Sequence, residues 1–262
     1  MEGVLLYLVA GTAAGLISGL FGVGGGTVIV PVLLFVFALS GFPDANLMHL
    51  AVGTSLAAIV LTSISSVRAH MRLGGVLWPI FWRLLPGIIV GSLLGAVIAD
   101  LLSSEALRNI FGVFLILVGA QMLLAGMPSA HRQLPGTVGL VVGGTGIGTL
   151  SAMLGIGGGS LTVPWLAWCG TQMRKAVGTS AACGLPIAVF GALGFVLTGW
   201  GNPALPSGAT GYVYWPAVAG LVLPSLLLAP VGARLAHRLP PLLLKRIFGA
   251  FLILVGLRLL FG

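Results

Sequence analysis

Acid is nearly missing from this chain: four Asp and Glu stand against twelve Lys and Arg in 262 residues, and charged residues of both signs make up only 6%. So little charge excludes an ordinary water-solvated surface. No acid lies deep in any apolar run, which argues against a cation site or a carboxylate proton relay inside a membrane. Cysteine is scarce as well. Cys169 and Cys183 sit among apolar or small residues, without CxxC spacing and with no His near them in sequence, so they read as small core residues and neither a disulfide nor a metal site is expected. HExxH and GxSxG are absent and no catalytic constellation emerges, so neither an enzyme nor a cofactor is expected. The start, Met1-Glu2-Gly3, has no basic n-region, and a cleaved signal peptide is not expected.

What is present is apolar. Hydrophobic residues make up 58% of the chain and the mean hydropathy is +1.17. Runs such as Ile110 to Leu124 and Leu242 to Phe261 recur along the whole length with isolated charges. A closed barrel would show short alternating strands, whereas these runs are continuous and rich in Gly, Ala and Leu, so the fold class is an all-α polytopic membrane protein. The net charge of +8 then means cytoplasmic loop ends in contact with lipid headgroups, not a nucleic-acid partner.

The chain also repeats itself. GVGGGTVIVP from Gly22 to Pro31 returns as GIGGGSLTVP from Gly155 to Pro164, 133 residues later. AVGTS at Ala51 to Ser55 returns at Ala176 to Ser180, Trp78-Pro79 at Trp215-Pro216, and Ile110-Phe111-Gly112 at Ile247-Phe248-Gly249, all in the same order. Two copies of about 130 residues match the paired repeats of secondary transporters better than a solenoid array. We therefore expect membrane repeats at 1–130 and 131–262, joined near Gly126 to Gly136.

Each half holds a long segment broken by glycines, 4–39 and 137–169, then three apolar runs: 47–67, 76–101 and 105–124, against 175–197, 212–236 and 241–261. As one helix, segment 4–39 would be roughly 54 Å long, against a hydrocarbon core of about 30 Å. Two helices joined at the glycines give five pieces per half, an odd number, so the halves face opposite ways. Charges agree with inversion. Asp44 faces Arg174 and Lys175 in the other copy, basic Arg68, His70 and Arg72 face the uncharged stretch 198–211, and mixed Asp100, Glu105 and Arg108 face basic Arg234, His237, Arg238, Lys245 and Arg246. This arrangement puts both termini outside and the linker with Arg132 inside.

A helix interrupted within a membrane survives only where protein or a cavity receives its free amides. Here Thr27 and Ser160 restart the helices as expected N-caps, with Pro31 and Pro164 around the first turn. Two inward-pointing N-termini, stripped of side chains by Gly24, Gly25, Gly26 and by Gly157, Gly158, Gly159, form an expected anion site. Tight helix packing is the competing role for glycine, as expected of Gly87, Gly91 and Gly95. Thr54, Ser55, Thr179 and Ser180 offer hydroxyls to the ligand or to the helix carbonyl four residues back. Asn46 and His49 lie near a helix start, and His49 reads as an interfacial residue. Arg83, after the aromatic cluster from Trp78 to Trp82, reads as a snorkelling interfacial cation or as an anion-attracting vestibule.

The glycine motif, its second copy and AVGTS in both halves together resemble the TauE/SafE family of sulfite exporters, across essentially the whole chain. The resemblance implies export of sulfite, sulfoacetate or a related sulfur-containing anion from the bacterial cytoplasm, through the inner membrane. Ala152-Met153-Leu154 replaces Gly19-Leu20-Phe21 before the second glycine run, so the two breaks need not contribute equally. An anion channel, and an importer of thiosulfate or sulfate, are the other readings. Protons or the membrane potential are the expected driving force, and the oligomeric state is left open.

Overall fold

The computed structural model describes residues 2–21, 25–124, 134–236 and 240–261. Gly24, most of the expected linker with Arg132, and the loop cations His237 and Arg238 lie outside the described residues. Five helices form the first half: α1 Glu2–Phe21, α2 Gly26–Leu39, α3 Asp44–Arg72, α4 Trp78–Leu101 and α5 Ser104–Leu124. Five more form the second: α6 Thr137–Met153, α7 Gly159–Trp168, α8 Met173–Thr198, α9 Trp215–Ala236 and α10 Pro241–Phe261. The sequence boundaries hold to within a few residues, with one addition. A two-stranded antiparallel hairpin, β1 Ala209–Thr210 and β2 Val213–Tyr214, precedes α9 where the apolar run had been extended back to residue 212.

Local chemistry sets the turns. After α2, Gly41 takes φ 73° while Phe42 N–H bonds the Phe37 carbonyl, so a left-handed glycine ends the helix and returns its last carbonyls to partners. Gly170 ends α7 the same way, with Thr171 N–H on the Leu166 carbonyl. Asp44 opens α3 beyond Pro43, an acid where the helix dipole favours one.

α3 and α8 form the centre. Every residue from Met48 to Ile59 of α3 is buried, which a helix apolar or small on all faces requires. Around this pair the halves interlock. α1 packs on α9, and its counterpart α6 packs on α4. The α4–α6 seam is the glycine stripe: a side chain on Gly87, Gly91 or Gly95 would run into the backbone of Val141, Thr145 or Thr149. Contact therefore advances along both helices together, and the pair runs parallel. By contrast Gly53 and Leu56 of α3 meet Phe195 and Gly191 of α8, so this pair runs antiparallel. The α5–α10 pair is antiparallel as well, Gly112 facing Gly256 and Gly119 facing Gly249.

The outside is hydrocarbon surface. Leu101 is 80% exposed, Leu124 86% and Val138 78%, side chains that water would not tolerate in such number. Among the described residues four helices, α3, α4, α5 and α8, are long and apolar enough to cross a bilayer, with shorter apolar helices beside them. The chain is a multi-pass membrane protein.

Candidate site at the paired helix breaks

The second break shows why its motif needs glycine twice. α6 ends with Gly155 at φ 68°, its N–H on the Ala152 carbonyl and Ile156 N–H on the Ser151 carbonyl. Three residues later Gly158, at φ 75°, opens α7 by accepting the Leu161 and Thr162 amides. In the first break Gly25, at φ 67°, accepts the Val28 and Ile29 amides in the same manner. An L side chain at either opening position would be strained.

This corrects the expected caps. Gly25 and Gly158 are the N-caps, and neither helix start has a side-chain cap bond. Thr27 and Ser160 are one residue inside their helices, and both hydroxyls are buried without a partner. Pro31 and Pro164 also sit deeper than expected, five residues after Gly26 and Gly159 and inside the helices. At that depth the missing N–H is not free: the carbonyls of Thr27 and Ser160, four residues back, lose their usual helical donor.

The two breaks meet. A Cβ on Gly26 would strike the Gly155 carbonyl and lie 2.7 Å from the Ile156 Cα, so the start of α2 rests directly on the second break. Gly157 and Gly158 lie against α8: the Gly157 carbonyl stands 2.5 Å from where a Gly184 Cβ would be, and Ile187 fills the space beside Gly158. Ser180, one turn before Gly184 on the same face, is buried and its hydroxyl has no partner. Thr162 completes the set. Its buried, unpartnered hydroxyl lies 3.5 Å from the position of a Gly158 Cβ. Sequence reasoning passed it over because its counterpart in the first copy is Ile29, although its spacing four residues after Gly158 is a helical one.

The AVGTS threonines turn out to be joints between halves. Thr54 Oγ1 accepts the Tyr214 N–H at 3.0 Å, and Thr179 Oγ1 accepts the Leu77 N–H at 2.9 Å, each just ahead of the fourth helix of the other half. The motif glycines admit the same segments, Gly53 against the Tyr212 carbonyl and Gly178 against Gly75. Ser55 donates to the Gly155 carbonyl at 2.9 Å and so ties α3 to the second break.

Two further residues singled out in the sequence are placed. His49 is 3% exposed, its Nε2 2.9 Å from the Ala99 carbonyl and its ring 5.0 Å from that of Tyr212. Tyr212 in turn donates to Asp100 at 2.9 Å, and burial, with that bond, raises its phenol above the ordinary value, so it stays a donor. Arg83 is exposed beside Trp82, which is 61% exposed. A groove of about 550 Å³ between α5, α6 and α7, lined by Gln121, Ile147, Leu150, Leu161, Pro164 and Trp165, is mainly apolar and includes none of the unpartnered hydroxyls.

Among the described residues, ten helices, a hydrocarbon exterior and helix breaks that pack on each other at glycines define a polytopic membrane protein, and its family and relatives make it a membrane transporter. The chain belongs to the TauE/SafE family: the family model described as sulfite exporter TauE/SafE matches residues 7–259. It is 36% identical over 261 residues to a probable membrane transporter protein of Haemophilus influenzae, covering 98% of this chain and 97% of that one. A probable membrane transporter protein of Methanocaldococcus jannaschii is 26% identical, covering 97% and 94%, and one of Bacillus subtilis is 27% identical, covering 98% and 97%.

Proposed function

We propose that this transporter exports a small sulfur-containing anion, such as sulfite, sulfoacetate or a related organosulfonate, across the bacterial inner membrane by alternating access. The observation that carries the reading is the contact of Gly26 with Gly155 and Ile156, which sets the start of α2 against the second break, together with the buried, unpartnered hydroxyls of Thr27, Ser160, Thr162 and Ser180. The amides of Gly26 and Thr27, and of Gly159 and Ser160, precede the first ones that bond the Gly25 and Gly158 carbonyls, and in hydrocarbon such amides favour an anion with several acceptor oxygens. Because the breaks touch, the anion enters when one half rocks away from the other. The halves are then inverted repeats, 1–130 and 131–262, a reading supported by the antiparallel packing of the counterparts α3 with α8 and α5 with α10. Moving negative charge out of an inside-negative cell is downhill, so the membrane potential suffices as driving force.

The test is uptake of labelled sulfite, sulfoacetate, sulfate and thiosulfate by purified protein in liposomes, with and without a pH gradient. Saturable uptake of a sulfur anion that falls in a Thr27→Val, Ser160→Ala double variant supports the proposal. Uptake unchanged in that variant removes the breaks from the path, and steady unsaturable current identifies a channel.

A further inference from the structure

The short helix that carries the second break is backed closely by protein on one side. α7 packs on α8, and its Thr162 and Leu166, one turn apart, are 0% exposed. Toward α6 it reaches with the Trp165 ring, whose Cζ2 lies 2.7 Å from where a Gly143 Cβ would be. The remaining space is the groove of about 550 Å³, walled on its third side by Gln121 of α5. On the α6 wall a Cβ at Gly146 would find nothing within 4 Å. From Leu161, beside Ser160, to Trp168 the groove follows α7 for about 10 Å, within the roughly 15 Å of one hydrocarbon leaflet.

The surroundings point to the occupant. The groove opens on the hydrocarbon surface, where Leu150 is 45% exposed, Val142 66% and Leu117 64%. One end of it is polar. Gln121 lies within a turn of the end of α5 and Trp168 is the last residue of α7, the level at which amphipathic side chains meet lipid headgroups. Among the described residues the Gln121 amide has no hydrogen-bond partner, and hydrocarbon offers it none. The other copy fills the same position with protein. The offset of 137 that carries Ile110 to Ile247 carries Gln121 to Arg258, and the offset of 133 that carries Pro31 to Pro164 carries Phe35 to Trp168. There the Arg258 guanidinium stands 6.0 Å from the centre of the Phe35 ring, and α2 packs more closely on α1 than α7 does on α6. The second copy leaves room for a molecule with an apolar body and a hydrogen-bond acceptor at the mouth.

We propose that one phospholipid of the bilayer is held in this groove, with an acyl chain against Gly146, Ile147 and Trp165 and an ester carbonyl accepting the Gln121 amide N–H at the mouth. The lipid backs α7, so the second break is held by α8 from one side and by the membrane from the other. This site stands or falls independently of the anion reading. The test is native mass spectrometry of the full chain, stripped of lipid in detergent and titrated with dioleoylphosphatidylethanolamine. One lipid per chain is expected to bind saturably and to raise the unfolding temperature. Gly146→Leu places a side chain where the acyl chain lies and should weaken that binding on the order of tenfold, while Leu227→Ala on the open hydrocarbon face of α9 leaves it unchanged. Gln121→Leu, at an exposed position, decides the matter should Gly146→Leu fail to elute as a folded species from size exclusion. No saturable lipid, equal binding in all these variants, or an equal loss in Leu227→Ala overturns the proposal. So does a dimer that Gly146→Leu splits, since the groove would then hold a second copy of this chain.

Discussion

Thr54 and Thr179 show how a polar residue in a membrane core is used as a fastener. Each is 0% exposed and takes an amide whose alternative is no partner at all. Replacing Thr179 with Val keeps the shape and strands the Leu77 N–H, which should cost about 1–3 kcal/mol. Thermal unfolding in detergent should show that loss, and Thr179→Ser should recover most of it. Gly178→Ala presses a methyl group into the Gly75 backbone, so the yield of monodisperse protein by size exclusion is expected to collapse. None of this was legible locally. The partners of Thr54 and Thr179 lie 160 and 102 residues away, and a hydroxyl destined for a remote amide looks, in sequence, like one destined for a ligand.

At the level of the helix, the breaks were legible because a run of three glycines recurs at the same place in both copies, inside an apolar segment too long for one span. Their detail was not. The preference of Ser and Thr for N-cap positions pointed to Thr27 and Ser160, but the turn demands a left-handed residue, and Gly25 and Gly158 satisfy that demand first. Pro31 and Pro164 consequently fall in the second turn, where proline weakens a helix by about 3 kcal/mol. Pro164→Ala should return an N–H to the Ser160 carbonyl, raising the unfolding temperature and slowing transport in liposomes, because a carbonyl with a donor and a straightened α7 hold the break in one shape. Faster transport in that variant would show that the proline stiffens the helix rather than loosening it.

Over the whole molecule, the duplication announced two halves but not their exchange of helices. Which helix packs on which depends on small residues meeting backbone, as Gly91 meets Thr145 and Gly15 meets Ser225, and such meetings have no signature within one segment. Since α1 and α6 each bury against the opposite half, neither half should fold alone. Expressed separately, 1–130 and 131–262 are expected to be degraded; expressed together, they are expected to copurify as a folded pair, and a stable lone half would contradict the interlock. The seam between α1 and α9 also sets a waiting time during synthesis. α1 is complete at Phe21, but α9 begins only at Trp215, so at about 5–20 residues per second the Gly11 and Gly15 face stands in lipid for roughly 10–40 s before its mate is made. For that interval the insertion machinery, not the protein, must chaperone the first helix, and a ribosome stalled before Trp215 leaves it orphaned.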